Sequence, residues 1–513
     1  MDEMKKYLVY AWLLMMFCTS CRMLRSGYLP EKKYDKASLV KDFQTAQQIL
    51  EKKHPSLYWY CSKQKMDTIF SSYEQQIGDS MTDNEFQWTI MAPVLHEIRC
   101  GHTTIRKSKS RERWEKNKKF KSFPLALKLW NDTLAVVGSY QKKDTLFKKG
   151  ELIKAINGIP ARAIVDKMKQ VLSLDGYAEN VNVVRIGNNF PMLHRYLFGL
   201  SEKYEIQYID RAGETRTDSV TCFNPSAKDS TVKKLTKKKD GKKDEKKIVR
   251  PSRIERLRNF KIDSTGTFGT MTLTTFSNGR LRKFFKQTFK EIEEKGIKHL
   301  VLDVRSNGGG KVNHSTLLTK YVSQHSFKVA DSVYSISRTL RPFFRKANSP
   351  FFTELFYYSL AYKKMGKKYH LRRLEKKQFK PIKKYHFDGQ LYILTHGPSF
   401  SATTLFCNVV KGQSNVKLIG EETGGGWYGN SGILIPDFIL PATKLRLRMP
   451  LFRVVQSGHQ QERFGKGIIP DVEVGYSLDA LLQGRDLKME KAKALIIEST
   501  DSLIQPVAAP IKE

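Results

Sequence analysis

A multidomain α/β fold is what this sequence predicts, and three observations predict it. Short apolar runs alternate with helical runs between about Arg256 and Tyr476. Apolar residues recur at three- and four-residue steps between about Lys36 and His96, as helices require. Apolar residues alternate in short runs between about Phe123 and Phe223, as half-buried strands require. A chain of 513 residues also exceeds one ordinary core, so two or three domains are expected.

Residues 1–21 read as an address. Lys5 and Lys6 precede the apolar run Tyr7 to Phe17, which has signal-peptide length and is too short to span a bilayer comfortably. Cys18-Thr19-Ser20-Cys21 follows and resembles the bacterial lipobox, which implies cleavage before Cys21 and lipidation of its thiol. Residues 22–115 form a helical region that closes on Cys100-Gly101-His102-Thr103, where Gly101 breaks the periodicity. Residues 118–223 read as a β-rich module. Leu125, Leu127 and Leu129 alternate, and Asn157-Gly158 marks a tight turn after a short strand. Residues 224–252 are a Lys-rich, solvated linker. Residues 253–480 carry the α/β core. Its strands are expected near Gly269–Phe276, His299–Val304, Gln390–Thr395 and Val416–Ile419, and its helices at Leu281–Glu294 and Ser401–Val410. A basic, aromatic insertion spans 326–387, with a helical flap packing its own aromatics as the simplest reading and a membrane-surface or substrate-facing role as the other. Residues 481–513 read as a tail.

Three segments carry chemistry. Leu302-Asp303-Val304-Arg305-Ser306-Asn307-Gly308-Gly309-Gly310 delivers a buried strand into a glycine turn, whose amides can approach an anion closely. It is not a phosphate loop, because Val312 follows Lys311 where a Ser or Thr is needed. His396 to Thr404 places Ser401 at a strand-to-helix turn. A serine there fits a helix N-cap, and it also sits where helix amides favour a developing negative charge. The third segment is the one containing His102, a candidate base.

The first segment closely resembles the D-L-R-x-N-x-G-G signature of tail-specific (C-terminal processing) serine proteases. The resemblance implies that Gly309 lends its N–H to an oxyanion hole, with Asp303 and Arg305 as a structural ion pair. The family's nucleophile stands in a Ser-Ala pair, which implies Ser401, with the Ala402 N–H as second oxyanion donor; Ser399 is followed by Phe400 and does not match. One branch of the family uses a lysine about 25 residues after the serine, and Gly426 stands there. The tricorn-like branch uses a histidine in Asp-Gly-His-Thr. Cys100-Gly101-His102-Thr103 is similar, and implies His102 as the base, with Cys100 in place of the acid. That branch also has a serine before the histidine, where Gly101 stands here, and a late glutamate, for which Glu462 is the nearest candidate. Gly467-Ile468-Ile469-Pro470-Asp471 matches the family's closing G-[IV]-x-P-D. Lys149 to Pro160 resembles a PDZ segment, so 118–223 is expected to be PDZ-like. Phe123-Pro124-Leu125-Ala126 lacks the glycines of a carboxylate-binding loop.

The function expected from this resemblance is an exported, membrane-anchored serine endopeptidase. It would act on polypeptides in the bacterial cell envelope through an acyl-serine, from the outer membrane facing the periplasm. The other reading is a non-catalytic binding lipoprotein that keeps the fold. No cofactor or metal is implied. The formal charge is +39, from 90 Lys+Arg and 51 Asp+Glu. No zinc-finger spacing or RNA-binding aromatic motif accompanies it, so nucleic acid is not an expected partner. Cys61, Cys100, Cys222 and Cys407 fit no metal spacing.

Overall fold

The computed structural model describes residues 27–130, 132–141, 146–226, 251–458 and 461–504. The leader with Cys21 and nearly all of the Lys-rich linker lie outside them.

The amino-terminal region is helical with breaks: α1 (Lys36–Lys53), α2 (Lys63–Gln75) and α3 (Ala92–Glu97), the last continuing a π-helical turn, Phe86–Met91. Asp35 and Ser62 cap the first two through their side chains. The chain then turns through 99–103 into β1 (Thr104–Arg106).

The module has its own core. β2 (Leu125–Trp130), β3 (Thr133–Ser139), β4 (Leu152–Ile156), α4 (Ala161–Lys169), α5 (Asn180–Phe198), β5 (Lys203–Ile209) and β6 (Thr215–Thr221) follow in order. The strands pair antiparallel as β2-β3-β4-β5-β6. Asn157 and Gly158 both take positive φ (49° and 75°), the turn expected after β4. Leu125, Leu127 and Leu129 point into a core shared with Phe190 and Tyr204.

The α/β core starts with β7 (Arg258–Ile262), β8 (Phe268–Leu273), α6 (Leu281–Glu294), β9 (His299–Asp303) and α7 (Val312–Val322). The insertion supplies β10 (Ala330–Ser335), α8 (Pro350–Leu360), β11 (Lys363–Met365) and β12 (Lys368–His370). Then come β13 (Gln390–Thr395), α9 (Ala402–Val410), β14 (Val416–Gly420), β15 (Gly429–Gly432), β16 (Asp437–Ile439), β17 (Arg446–Arg448), β18 (Phe452–Gln456) and β19 (Val472–Glu473). Finally, α10 spans Leu487–Ile504.

The central sheet has the order β7-β8-β9-β13-β14-β19, parallel except for the edge strand β7. Parallel strands covered on both faces read as near-continuous apolar runs, which is why HLVLD and QLYILT stand out in the sequence. Leu302, Ile393 and Leu418 are in register and face Phe285, Phe289 and Phe406. Val301, Leu394 and Ile419 face the opposite way, against Ala492 and Ile496. The residues read as a tail therefore include a helix that closes the second face of the sheet.

The insertion departs from the helical flap expected. β10, β11 and β12 join β18 and β15 in an antiparallel sheet of order β11-β12-β10-β18-β15. Its aromatics do not all pack on one another: Tyr357 is buried, whereas Phe351, Phe352 and Phe356 face outward. β1 meanwhile pairs with β17, and so ties the histidine loop to the core.

Candidate active site

The core delivers Ser401 at the carboxyl end of β13. Ligands in open parallel sheets gather outside that edge. Ser401 adopts φ 58° and ψ −119° at the cap of α9. A non-glycine residue there is strained, and such turns present a hydroxyl clear of the backbone. The turn is braced from below. The Ser399 hydroxyl donates to Val304 O at 2.9 Å, and Ser399 is fully buried. The Phe400 N–H and the Thr403 hydroxyl both donate to Asn307 O, at 3.1 and 2.9 Å. Ser399 is thus a strut, and Ser401 alone of the pair faces the site.

His102 meets it from the other end of the chain. Its Nε2 lies 3.2 Å from Ser401 Oγ. The loop carrying it is held by Thr103, whose N–H donates to Cys100 O at 3.0 Å and whose hydroxyl bonds His54 Nε2 at 2.8 Å. The Phe400 ring lies 4.9 Å from the imidazole. At Gly101 a Cβ would fall 2.5 Å from that ring, so the serine of the resembled pattern has no room here. Burial holds the imidazole below its ordinary value near 6.5; Asp175 opposes this, and Arg185 and Arg448 add to it. A neutral imidazole at neutral pH is what a base requires.

Glu462, expected as the orienting acid, is not brought to this histidine. It is exposed in the short 3-10 turn Gln461–Arg463, and His102 Nδ1 is enclosed without a hydrogen-bond partner. Nor does Cys100 substitute for an acid: burial, with the charge of Asp175, pushes its thiol up to about 11. The carboxylate that reading from sequence missed is Asp175. It is buried, accepts the Gly101 N–H at 2.7 Å and the Gly426 N–H at 3.3 Å, and is the foremost opposite charge acting on His102. No local pattern marks it, because its partners Gly101 and Gly426 stand far from it in sequence.

The glycine turn lies against Ser401. Gly309 has φ 93°, and a Cβ on it would fall 2.7 Å from Phe400 O and from Ser401 Cβ. Its N–H donates to Asn307 Oδ1 at 3.0 Å, so an oxyanion would have to share or displace that acceptor. The Ala402 N–H is at the first helical position, where the helix itself offers no acceptor. Arg305 pairs with Asp303 and with Asp486, each at 2.7 Å, as a structural clamp. Gly426 occupies the place of the alternative lysine base, and a Cβ there would fall 2.5 Å from Gly429 O. Asp471 of the closing motif accepts the Leu418 N–H at 2.8 Å and so pins β14. No group of His, Cys, Asp and Glu able to hold a metal occurs among the described residues.

Residues 267–474 match the model of peptidase family S41. That segment is similar to the family S41 core. Two solved structures share the wider fold. Mature CPAF complexed with lactacystin is 12% identical, covers 92% of this chain and 98% of its own, and has a TM-score of 0.59. A point mutant of CPAF is 11% identical, with 93% and 99% covered and a TM-score of 0.60. No curated protein matches the sequence. The matched segment holds Ser401, Gly309 and Ala402; His102 and Asp175 come from outside the matched residues.

Proposed function

We propose that this chain is an active serine endopeptidase that works through an acyl-serine, with Ser401 as nucleophile and His102 as base. The observation that carries the reading is the 3.2 Å contact between Ser401 Oγ and His102 Nε2 at a strained strand-to-helix turn. In the reaction, His102 Nε2 takes the Ser401 proton as Oγ bonds to the peptide carbonyl carbon. The oxyanion so formed is held by the Ala402 N–H and by the Gly309 N–H once released from Asn307. Collapse breaks the peptide C–N bond, and His102 returns the proton to the leaving amine. A water, deprotonated by His102, then hydrolyses the ester. Asp175 acts as a positioning residue: its negative charge stabilises the imidazolium and its two accepted amides hold the histidine loop. A cleft of 260 Å³ beside that loop, lined by Trp88, Leu95, Ile105 and Leu172, suits an apolar side chain of a polypeptide substrate.

The export and anchoring expected from Cys18-Thr19-Ser20-Cys21 belong to the same proposal, with the enzyme facing the periplasm from a lipid-anchored position. Cys21→Ala should leave an unprocessed precursor or release the protein from membranes. A wild-type protein processed elsewhere and soluble would refute it. The Gly309–Asn307 hydrogen bond favours the second reading, a binding protein with a closed oxyanion site. Turnover of an unfolded protein substrate by the wild type, lost in Ser401→Ala, decides between the two.

A further inference from the structure

The insertion carries a surface that peptide hydrolysis does not use. α8 is mounted on the body by one face only. Tyr357 and Thr353 point inward: Tyr357 OH bonds Ser335 Oγ at 2.5 Å, its ring lies 5.7 Å from Phe452, and Thr353 donates to Asn348 O at 3.2 Å. The Glu354 carboxylate accepts the Leu340 N–H at 2.6 Å. With 3.6 residues per turn, this leaves positions 351, 352, 355 and 356 on the opposite side. Phe351 is 68% exposed, Phe352 64%, Leu355 56% and Phe356 56%. Four large apolar side chains so exposed within six positions occur nowhere else among the described residues, and such a patch marks an interaction site.

The charge around the patch says what covers it. From Ile336 to Tyr385 the sequence holds fifteen Lys and Arg against two carboxylates, Glu354 and Glu375. Both acids are already engaged, Glu354 as above and Glu375 with His370 at 2.7 Å. Immediately after α8, a cleft of 450 Å³ is lined by Tyr362, Lys363, Arg372, Arg373 and Lys376. Among its cations only Arg372 has a carboxylate within ion-pair reach, Glu375 at 4.0 Å.

We propose that this face seats on an anionic phospholipid surface, with the aromatic side of α8 in the headgroup–acyl boundary and the basic cleft taking a lipid phosphate. α8 has 11 residues, too short to cross a bilayer and long enough to lie in its interface. A second copy of this chain would place one dense field of positive charge against another, so like charges disfavour it. The apolar face supplies depth, and the flanking cations supply attraction to a negative leaflet. This surface is independent of the peptidase reading, because it contains none of the residues of that site.

The test uses the full chain carrying Cys21→Ala, Leu13→Asp and Leu14→Asp, so that the leader contributes neither a lipid nor its own partitioning. Sedimentation with vesicles is measured for phosphatidylglycerol/phosphatidylcholine mixtures and for phosphatidylcholine alone. Binding is expected to the mixed vesicles only, and to weaken as salt shortens the reach of the charges. Phe351→Ser, Phe352→Ser and Phe356→Ser together should lower the partition coefficient by about 100-fold, and Lys363→Glu with Arg373→Glu and Lys376→Glu by a similar factor. Thermal melts of both variants should match the parent, since all six side chains are on the surface. Inorganic phosphate at millimolar excess should not displace the protein. The proposal is overturned by equal binding to neutral vesicles, by variants that bind like the parent, or by no binding at all. It is also overturned by competition from inorganic phosphate, which would make the cleft a free-anion site. A parent that is dimeric, and that the phenylalanine variant converts to monomer without any vesicle binding, assigns the face to a second copy instead.

Discussion

His102 is the residue on which the proposed chemistry turns, and its surroundings set how it should titrate. Burial lowers its pKa below the ordinary 6.5, and the base must be neutral to act. Activity is therefore expected to persist below pH 6.5 and to fall as the pH drops through the depressed pKa. Asp175 raises that pKa by its negative charge. Asp175→Asn should move the acid limb of kcat/KM to still lower pH and reduce turnover on the order of ten- to a hundred-fold. An unshifted limb would make Asp175 a structural residue only. Gly309→Ala tests the proposed oxyanion turn: a Cβ at φ 93°, 2.7 Å from Phe400 O and Ser401 Cβ, should cost about 10²–10³-fold in turnover. Full activity in that variant would remove Gly309 from the site. Ser401, His102, Gly309 and Ala402 were named from the sequence because each stands in a short motif that resembles the family's, and the fold sets Ser401 Oγ 3.2 Å from His102 Nε2. Asp175 was not, since it acts across a tertiary contact that binds 101, 175 and 426 together. Glu462 was chosen by proximity in sequence, and the fold leaves it exposed on a separate turn.

Among the elements, several with a strong period were readable to within a residue, although the strand expected to reach Phe276 ends at Leu273. α6 spans the very stretch whose Phe285, Phe289 and Ile292 mark one face, and β13 spans the QLYILT run. Elements whose burial depends on a partner elsewhere were not readable. α10 is rich in Lys and Glu, and it covers the sheet through Ala492 and Ile496, with Met489 and Leu495 packed beside them. Ile496→Ala should destabilise the fold by about 2–4 kcal/mol in chemical denaturation, because it empties a packed position. A change below about 0.5 kcal/mol would mean that α10 is dispensable to the core. The insertion misled in the same way. Its aromatic content reads as self-packing, whereas on α8 only Tyr357 is buried among the aromatics and Phe351, Phe352 and Phe356 are left outside.

Across the whole molecule, three units bring one residue each to the same place. The amino-terminal region supplies His102, the module Asp175 and the α/β core Ser401. β1 pairing with β17 and Asp175 bridging two loops make that convergence a property of the assembled fold, not of any single unit. The arrangement predicts that His102→Ala loses several orders of magnitude in activity while Lys411→Ala, whose ammonium is paired with Asp471, loses little. An active His102→Ala protein of normal stability would reassign the base. The most direct measurement is covalent: incubation of the protein with a serine-directed phosphonate probe, followed by peptide mapping, alongside cleavage of an unfolded protein substrate. Labelling should fall on Ser401 and require His102. Ser401→Ala should lose turnover on the order of a million-fold with an unchanged melting temperature. Cleavage by Ser401→Ala equal to wild type, or a wild type that neither cleaves nor takes the probe at Ser401, would contradict the account.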